Sequence, residues 1–158
     1  MAEKKTVSFT LNGRKRQFKC RPNESLLELL RRAGYKGVKK GCSEGVCGVC
    51  TVIMDGRAVY SCILRAFQAE GRSLQTIEHM GDFEKPHAFQ RALVDEGAVQ
   101  CGFCTPGMVM AAEAMLRKDP QPSPEKTKVY MDGVLCRCTG YEKIWGAIRK
   151  VVAAKGGK

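Results

Sequence analysis

Nine cysteines stand out in this chain of 158 residues, because thiolates bind metals, exchange disulfides and act as nucleophiles. The stretch "CGFCTPG" contains Cys101 and Cys104 in a Cys-x-x-Cys pair. Such a pair occurs in thiol-disulfide active sites, in zinc sites and in iron-sulfur sites. The pair alone does not choose among these three, so its meaning depends on the other cysteines.

Four cysteines in the first half follow the pattern C-x4-C-x2-C-x11-C: Cys42, Cys47, Cys50 and Cys62. Structural zinc usually takes its ligands from two short cysteine pairs joined by a spacer, and this set does not divide that way. The run C-x4-C-x2-C instead has the plant-type spacing of a 2Fe-2S cluster. This spacing indicates an iron-sulfur site in the first half.

The loop "GCSEGVCGVC" supplies three of these four cysteines together with Gly41, Gly45 and Gly48. Three ligands from one loop must curl around a compact cluster, and glycine adopts the required backbone angles without a Cβ penalty. Glycines also let backbone N–H groups approach sulfur, and such hydrogen bonds tune the cluster's potential. The glycine content therefore supports the cluster interpretation.

The second set reads C-x2-C-x31-C-x1-C and comprises Cys101, Cys104, Cys136 and Cys138. Each pair precedes a predicted helix, with Thr105 as N-cap and Pro106 at the first position of one. Thr139 is the predicted N-cap of the other, with Glu142 completing a capping box. The positive ends of both helices would stabilise an anionic cluster, and Arg137 is the only other local charge compensation. A four-thiolate zinc site would use the same geometry, so this set alone leaves zinc open.

No catalytic role is predicted for three other residues with reactive side chains. Cys20 belongs to neither set and is predicted to be a small buried hydrophobe at a strand end. His79 and His87 are the only histidines, so no Cys-His or Ser-His machinery can be assembled. The chain is therefore predicted to carry electrons.

Two alternative functions follow from the same cysteine pairs. One is a structural zinc-binding module that could also bind nucleic acid, given the basic charge. The other is a thiol oxidoreductase using Cys101 and Cys104, but thioredoxin-like motifs need a βαβ setting that the helical second half lacks. Iron analysis separates the electron carrier from both.

The predicted elements that position these cysteines indicate an α+β fold. Alternating apolar residues flank Asn12-Gly13 and Asp55-Gly56 and predict two β-hairpins, "SLQTI" predicts a further strand, and Ser25 with Glu28 predicts a capped helix. From Pro86 onward the periodicity is helical. Four helices are predicted, at 87–96, 107–117, about 124–132 and 141–153. The predicted domains are 1–79 and 80–158.

The composition excludes several classes of protein. Hydrophobic residues make up 44% and charged residues 27%, which is typical of globular domains. No apolar run approaches a spanning helix and no signal peptide is evident, so we expect a cytoplasmic protein without membrane insertion. The formal charge of +11 is dispersed and lacks aromatic interleaving, so nucleic-acid binding is not expected.

Three motifs together, "GCSEGVCGVCTV", "QCGFCTPG" and "LCRCTGY", closely resemble the small iron-sulfur subunit of the molybdenum hydroxylases. This family includes xanthine dehydrogenase, aldehyde oxidoreductase and carbon monoxide dehydrogenase. The resemblance extends from about residue 5 to residue 153. It implies a ferredoxin-like β-grasp domain followed by a C-terminal four-helix bundle domain, with one 2Fe-2S cluster in each.

The resemblance also implies partners and site roles. A large subunit would carry molybdenum with a pterin cofactor and a medium subunit would carry FAD, in a dimer of heterotrimers. Electrons would pass between the molybdenum centre and FAD through the two clusters. By position in the motifs, Gln100 and Cys138 would contact the pterin, and Cys138 would also ligate iron.

Overall fold

Five strands make up the sheet of the first half. In the computed structural model, which describes residues 3–156, they are β1 (Lys5–Leu11), β2 (Arg14–Cys20), β3 (Thr51–Met54), β4 (Arg57–Tyr60) and β5 (Ser73–Gln75). The sheet order is β2-β1-β5-β3-β4. The β1–β5 pair is parallel and the other pairs are antiparallel. The sheet is therefore mixed, and the predicted α+β class is confirmed.

Both predicted hairpins form with two-residue turns. Asn12 and Gly13 have φ angles of 52° and 79°, and Asp55 and Gly56 have φ angles of 49° and 79°. Positive φ at both central residues is the geometry that matches the right-handed twist of the flanking strands. The turn dipeptides thus set the register of β1 on β2 and of β3 on β4.

Helix α1 (Leu26–Arg32) has the predicted capping box at its N-terminus. The Ser25 side chain accepts a hydrogen bond from the Glu28 N–H, and the Glu28 carboxylate accepts one from the Ser25 N–H at 3.1 Å. Its four leucines are buried against the sheet together with residues of β1 and β2, including Cys20. The predicted buried position of Cys20 at the end of β2 is confirmed.

Two short 3₁₀ turns, at Ala66–Ala69 and Ile77–His79, were not predicted. Each is one turn long, which is too short to leave a periodic pattern in the sequence. The second turn leads out of the sheet toward the helices.

Four helices form the second half: α2 (Ala88–Asp95), α3 (Thr105–Lys118), α4 (Pro124–Asp132) and α5 (Glu142–Gly156). They begin within two residues of the predicted positions. The methionines of α3 at positions 108, 110 and 115 are fully buried, as predicted for residues that fill the core. Within residues 3–156, no helix is long and apolar enough to cross a membrane.

The two halves share a packed boundary. Val49 and Ile53, from the first half, belong to the apolar core built by the helices of the second. The Tyr60 hydroxyl donates a hydrogen bond of 2.7 Å to the Gly133 carbonyl. A Cβ on Gly48 would overlap that same carbonyl oxygen. The backbone at Gly48 and the backbone at Gly133 therefore approach so closely that no side chain fits between them.

A half-buried ion pair holds the connection between the halves against α3. Glu113 lies 3.0 Å from His87 Nε2 and 2.6 Å from Arg117 Nε. Arg117 also donates to the Gln75 side chain of β5 at 2.6 Å. The hydrogen bond from His87, and then that from Arg117, lower the pKa of the Glu113 carboxyl to about 2.

We expect this pair to stabilise the protein except in acid. Because the folded-state pKa is lowered, the contribution is full above about pH 4.5 and is lost as the pH falls toward 2. Glu113→Gln should cost about 2–3 kcal/mol at pH 6, and this difference should shrink toward zero near pH 2. Thermal unfolding across this pH range measures the difference. The exposed Glu84→Gln is the control, and an equal effect at Glu84 would contradict the assignment.

Candidate metal centres

The first cysteine loop directs backbone N–H groups at one sulfur. Cys42 Sγ accepts hydrogen bonds from the N–H groups of Glu44 at 3.3 Å, Val46 at 3.4 Å and Cys47 at 3.4 Å. These donors lower the pKa of the Cys42 thiol to about 6. The loop is thus built to hold a thiolate, which is the form that binds metal.

Backbone geometry in this loop agrees with its glycine content. Gly45 and Gly48 have φ angles of 76° and 65°, and Ser43 also has a positive φ, of 65°. Gly41 has an ordinary φ, but a Cβ there would lie only 2.7 Å from Cys47 Sγ. The glycines therefore serve both backbone curvature and close approach to sulfur.

The other two cysteines of the set adjoin β3 and β4. Cys50 is buried, and burial raises the pKa of its thiol to about 11, while a Cys62 N–H acts in the opposite direction. Burial, and then the nearby Cys50, Cys47 and Cys62, raise the pKa of Tyr60. The four cysteines thus lie as two neighbouring pairs, Cys42 with Cys47 and Cys50 with Cys62.

The second set also forms two pairs, and they differ in exposure. Cys101 and Cys138 are exposed, with their sulfurs 3.6 Å apart. Cys104 and Cys136 lie deeper, and burial followed by contact with Cys136 raises the pKa of Cys104 to about 12. One pair therefore faces outward and the other faces the interior.

Thr139 does not cap α5, and that prediction is wrong. Helix α5 begins at Glu142, and the Thr139 hydroxyl instead donates to Cys136 Sγ at 3.1 Å. Burial opposes the Cys136 thiolate, but hydrogen bonds from the Thr139 hydroxyl and from the backbone at Cys138 and Thr139 lower its pKa on balance. The Thr139 hydroxyl also accepts the Tyr141 N–H at 3.4 Å, so it fixes the turn before the helix and donates to the sulfur.

The prediction for the start of α3 was wrong by one residue. The N-cap is Cys104, and Thr105 is already the first helical residue. Because α3 begins immediately after Cys104, the positive end of its dipole adjoins this thiol, as expected for an anionic site. Helix α5 begins four residues after Cys138, so its N-terminus is farther along the chain from the nearest cysteine than that of α3.

Tyr141 fixes the backbone that leads into Cys136, a role that was not predicted. Its hydroxyl accepts the Cys136 N–H at 2.8 Å and donates to the Val134 carbonyl at 3.1 Å. Its backbone has a φ of 69°, which is strained for a side chain of this size. The tyrosine of the "LCRCTGY" motif was the available sequence feature.

Thr139→Val should lower the midpoint potential of the second cluster. Hydrogen bonds to the ligand sulfurs stabilise the more negative reduced state, so removing one disfavours reduction. A differential loss of about 1 kcal/mol corresponds to roughly 40 mV for one electron. A redox titration followed by electron paramagnetic resonance (EPR) measures the shift. Thr139→Ser should keep the wild-type potential, and an unchanged potential in Thr139→Val would contradict this role.

Six of the eight cysteines border a cavity of about 310 Å³ between the two halves: Cys42, Cys47, Cys101, Cys104, Cys136 and Cys138. Within residues 3–156, no three ligating side chains converge as they would around a single metal ion. The paired thiols, with amide and hydroxyl donors aimed at sulfur, fit the four-thiolate ligation of a 2Fe-2S cluster. The residues of both sets therefore fit the implied clusters.

Gln100 and Arg137, next to cysteines of the second set in sequence, are both exposed. Gln100 precedes the outward-facing Cys101, and Arg137 separates Cys136 from the outward-facing Cys138. Both side chains are accessible to a partner protein.

A backbone hydrogen bond connects the two cysteine sets. The Leu135 N–H donates to the Cys47 carbonyl at 2.8 Å. Leu135 is bonded to Cys136, so one cysteine of each set is adjacent to this contact. The contact lies where Gly48 and Gly107 allow close backbone approach.

Two family descriptions match almost the whole chain. "2Fe-2S iron-sulfur cluster binding domain" covers residues 9–76, and "2Fe-2S binding domain" covers residues 76–149.

Individual proteins are similar over most of their lengths. The nicotinate dehydrogenase small FeS subunit of Eubacterium barkeri is 47% identical over 93% of this chain and 94% of that protein. The xanthine dehydrogenase iron-sulfur-binding subunit of Escherichia coli O157:H7 is 45% identical over 88% and 89%. In the crystal structure of quinoline 2-oxidoreductase from Pseudomonas putida 86, a chain superposes with a TM-score of 0.92 at 42% identity, covering 99% of this chain and 98% of that one. This chain belongs to the family of small iron-sulfur subunits of the xanthine dehydrogenase type, which transfer electrons within oxidoreductase complexes.

Proposed function

We propose that this chain relays electrons between a molybdenum-pterin centre and FAD, both held by partner subunits, through two 2Fe-2S clusters. The observation that carries the proposal is the arrangement of eight cysteines as two sets of paired thiols, six of which border the cavity between the halves. Each cluster, when bound, takes up and releases one electron. The chain's own residues hold the clusters, neutralise charge and connect the two sites.

One cluster is assigned to Cys42, Cys47, Cys50 and Cys62, and the other to Cys101, Cys104, Cys136 and Cys138. Thiols that contact each other in the structure would share an iron, which gives two thiolates to each metal. Cys50 and Cys104, whose pKa values are raised, would have to lose their protons to ligate iron. Metal uptake should therefore be more complete at higher pH.

The second set would face the molybdenum subunit. Gln100 and Cys138, the proposed pterin contacts, are both exposed, and the sulfur of Cys138 lies 3.6 Å from that of Cys101, which follows Gln100. The first set would then exchange electrons with FAD. The xanthine and nicotinate named for the relatives indicate that different substrates are served by similar small subunits, which agrees with a substrate pocket on another chain.

The finer architecture is part of the proposal. Residues 1–79 would form the ferredoxin-like β-grasp domain and residues 80–158 a four-helix bundle domain. Contacts of α2 with α5 and of α3 with α4 support the bundle. The assembly would be a dimer of heterotrimers with a large molybdenum and a medium FAD subunit, located in the cytoplasm.

Iron and sulfide analysis of the purified chain tests the proposal. We expect about four irons and four sulfides per chain, from two clusters with two irons each. Two distinct EPR signals should appear after reduction with dithionite. A colourless protein that contains zinc would overturn the proposal and support the zinc-binding module.

A further inference from the structure

A cavity of about 250 Å³ lies between the start of α4 and the side of α5. We call it the Trp145 cavity. Its apolar lining consists of five side chains: Pro122, Pro124, Trp145, Ile148 and Val152. Among the residues that the structure describes, no cysteine lines it. The cavity is therefore separate from the two cysteine sets.

The Trp145 cavity extends away from the second cysteine set along α5. This helix begins at Glu142, just after Cys138, and Val152 lies ten residues farther on, or about 15 Å along the helix axis. The cavity is thus on a different part of the helical half from the exposed thiols that the proposed function turns toward a partner.

The volume of the Trp145 cavity limits what it can hold. An apolar protein cavity of about 150 Å³ accommodates benzene, whereas pockets for drug-sized ligands have about 300–1,000 Å³. A cavity of about 250 Å³ lies between these sizes. It therefore fits a single aromatic ring with a short side chain.

Trp145 supplies an unpaired hydrogen-bond donor at this cavity. Its Nε1 atom is buried and has no hydrogen-bond partner within residues 3–156. A buried indole N–H usually has an acceptor, because leaving it unpaired is costly. The ring as a whole is only half-buried and lines the cavity, so a small rotation would bring the N–H to an oxygen atom held there. The cavity thus suits a ligand that carries an acceptor oxygen.

Lys128 places a positive charge at the same cavity. Its Nζ lies 5.1 Å from the centre of the Trp145 ring, and it makes no ion pair among the described residues. The nearby acid is Glu125, whose pKa is lowered most by its own backbone N–H, then by the Ser123 side chain and by the charge of Lys128. Glu125 is exposed and does not line the cavity. The Lys128 charge is therefore available to an anion that enters.

Arg149 adds a second cation on the α5 side of the cavity. It pairs with Glu142 at 3.3 Å, but both side chains are largely exposed, and such surface pairs contribute little. Among the described residues, no carboxylate lines the cavity. Its charged lining therefore favours an anionic ligand.

We propose that the Trp145 cavity binds a small aromatic carboxylate, a single ring that bears a carboxylate on a short side chain. The ring would pack against Ile148 and Val152. One carboxylate oxygen would accept the Trp145 N–H, and the negative charge would pair with Lys128. Charge-assisted hydrogen bonds of this kind are stronger than neutral ones. The proposal does not depend on the electron-transfer function argued above.

The chain's single tryptophan makes the test specific to this cavity. In a two-dimensional proton–nitrogen NMR spectrum of the full chain, its indole N–H gives one cross-peak. Phenylacetate should shift this peak saturably, with a Kd below about 1 mM. Phenylacetamide has nearly the same shape without the charge and should bind about tenfold more weakly or less. Acetate, which lacks the ring, should leave the peak in place up to about 10 mM.

Lys128→Met tests the charge, because it removes the ammonium group and keeps an unbranched side chain beside the indole. It should weaken phenylacetate binding about tenfold and leave phenylacetamide binding unchanged. The matched control is Lys118→Met at the end of α3, which does not line the cavity. It should bind phenylacetate like the wild type. Both lysines are exposed, and the remaining cross-peaks verify that both variants are folded.

Four results would overturn the proposal. They are the absence of a saturable shift up to about 10 mM phenylacetate, equal binding of phenylacetate and phenylacetamide, and equal binding of phenylacetate by the Lys128 and Lys118 variants. The fourth is an indole peak that moves with protein concentration alone, which would show that a second copy of the chain occupies the cavity. All four leave the iron content unaffected, so the electron-transfer function is judged separately.

Discussion

Cys136→Ala is expected to remove one cluster and leave the other. The iron content should fall from about four to about two per chain, and one of two EPR signals should disappear. The reason is geometric: Cys136 contacts Cys104 and receives hydrogen bonds from Thr139 and the backbone. No free thiol of the described residues other than those of the two sets and Cys20 could replace it. A simple dithiol enzyme built on Cys101 and Cys104 would instead keep its activity.

Cys20→Ala is the matched control for this experiment. Cys20 is fully buried and packs in the core of the first half, so its loss removes a sulfur without touching either set. Both EPR signals and about four irons should remain. Persistence of the remaining signal in Cys136→Ala shows that the variant has folded. Retention of both signals in Cys136→Ala would refute the assignment of Cys136.

Gly48→Ala is expected to destabilise the boundary between the halves. The new Cβ would overlap the Gly133 carbonyl oxygen and lie 3.0 Å from Val134 Cα. Both neighbours are backbone atoms, so they cannot rotate away. The positive φ of 65° adds strain. Together these costs should reach about 3 kcal/mol, lowering Tm by roughly 6–12 °C.

The same substitution should also affect the link between the cysteine sets. Moving the 133–135 backbone away lengthens the hydrogen bond from Leu135 to the Cys47 carbonyl. Electron exchange between the clusters should become slower. Rapid freezing after partial reduction, with EPR of the frozen samples, measures this rate. Gly56→Ala isolates the backbone strain, since Gly56 has a φ of 79° with nothing within 4 Å of a Cβ. It should cost about 1 kcal/mol, and an equal loss at both positions would contradict steric overlap at Gly48.

Local features of the fold could be predicted from the sequence. Asn12-Gly13 acts through the positive φ angles that both residues adopt, and Ser25 with Glu28 acts through hydrogen bonds across three positions. The structural effect of each is therefore readable in a short window. The cysteine spacings were equally informative, because ligands from one loop must be close in sequence.

Features that depend on distant residues were not predicted. The close approach of Gly48 to Gly133 and the Glu113 ion pair join segments far apart in sequence and leave no periodic trace. The role of Thr139 was missed for a different reason. A threonine before a helix is a common N-cap, and only the structure shows that a sulfur competes for its hydroxyl.

Val49 and Ile53 of the first half are part of the helical core, so the chain cannot be cut between its halves without disrupting that core. A fragment ending near residue 79 would expose both side chains to water, and a fragment beginning there would lack two pieces of its own interior. Although each half matches its own family description, the second half lacks a complete apolar core without the first, and the first half leaves two apolar side chains uncovered without the second. We therefore expect the two halves to unfold as one cooperative unit, in a single thermal transition.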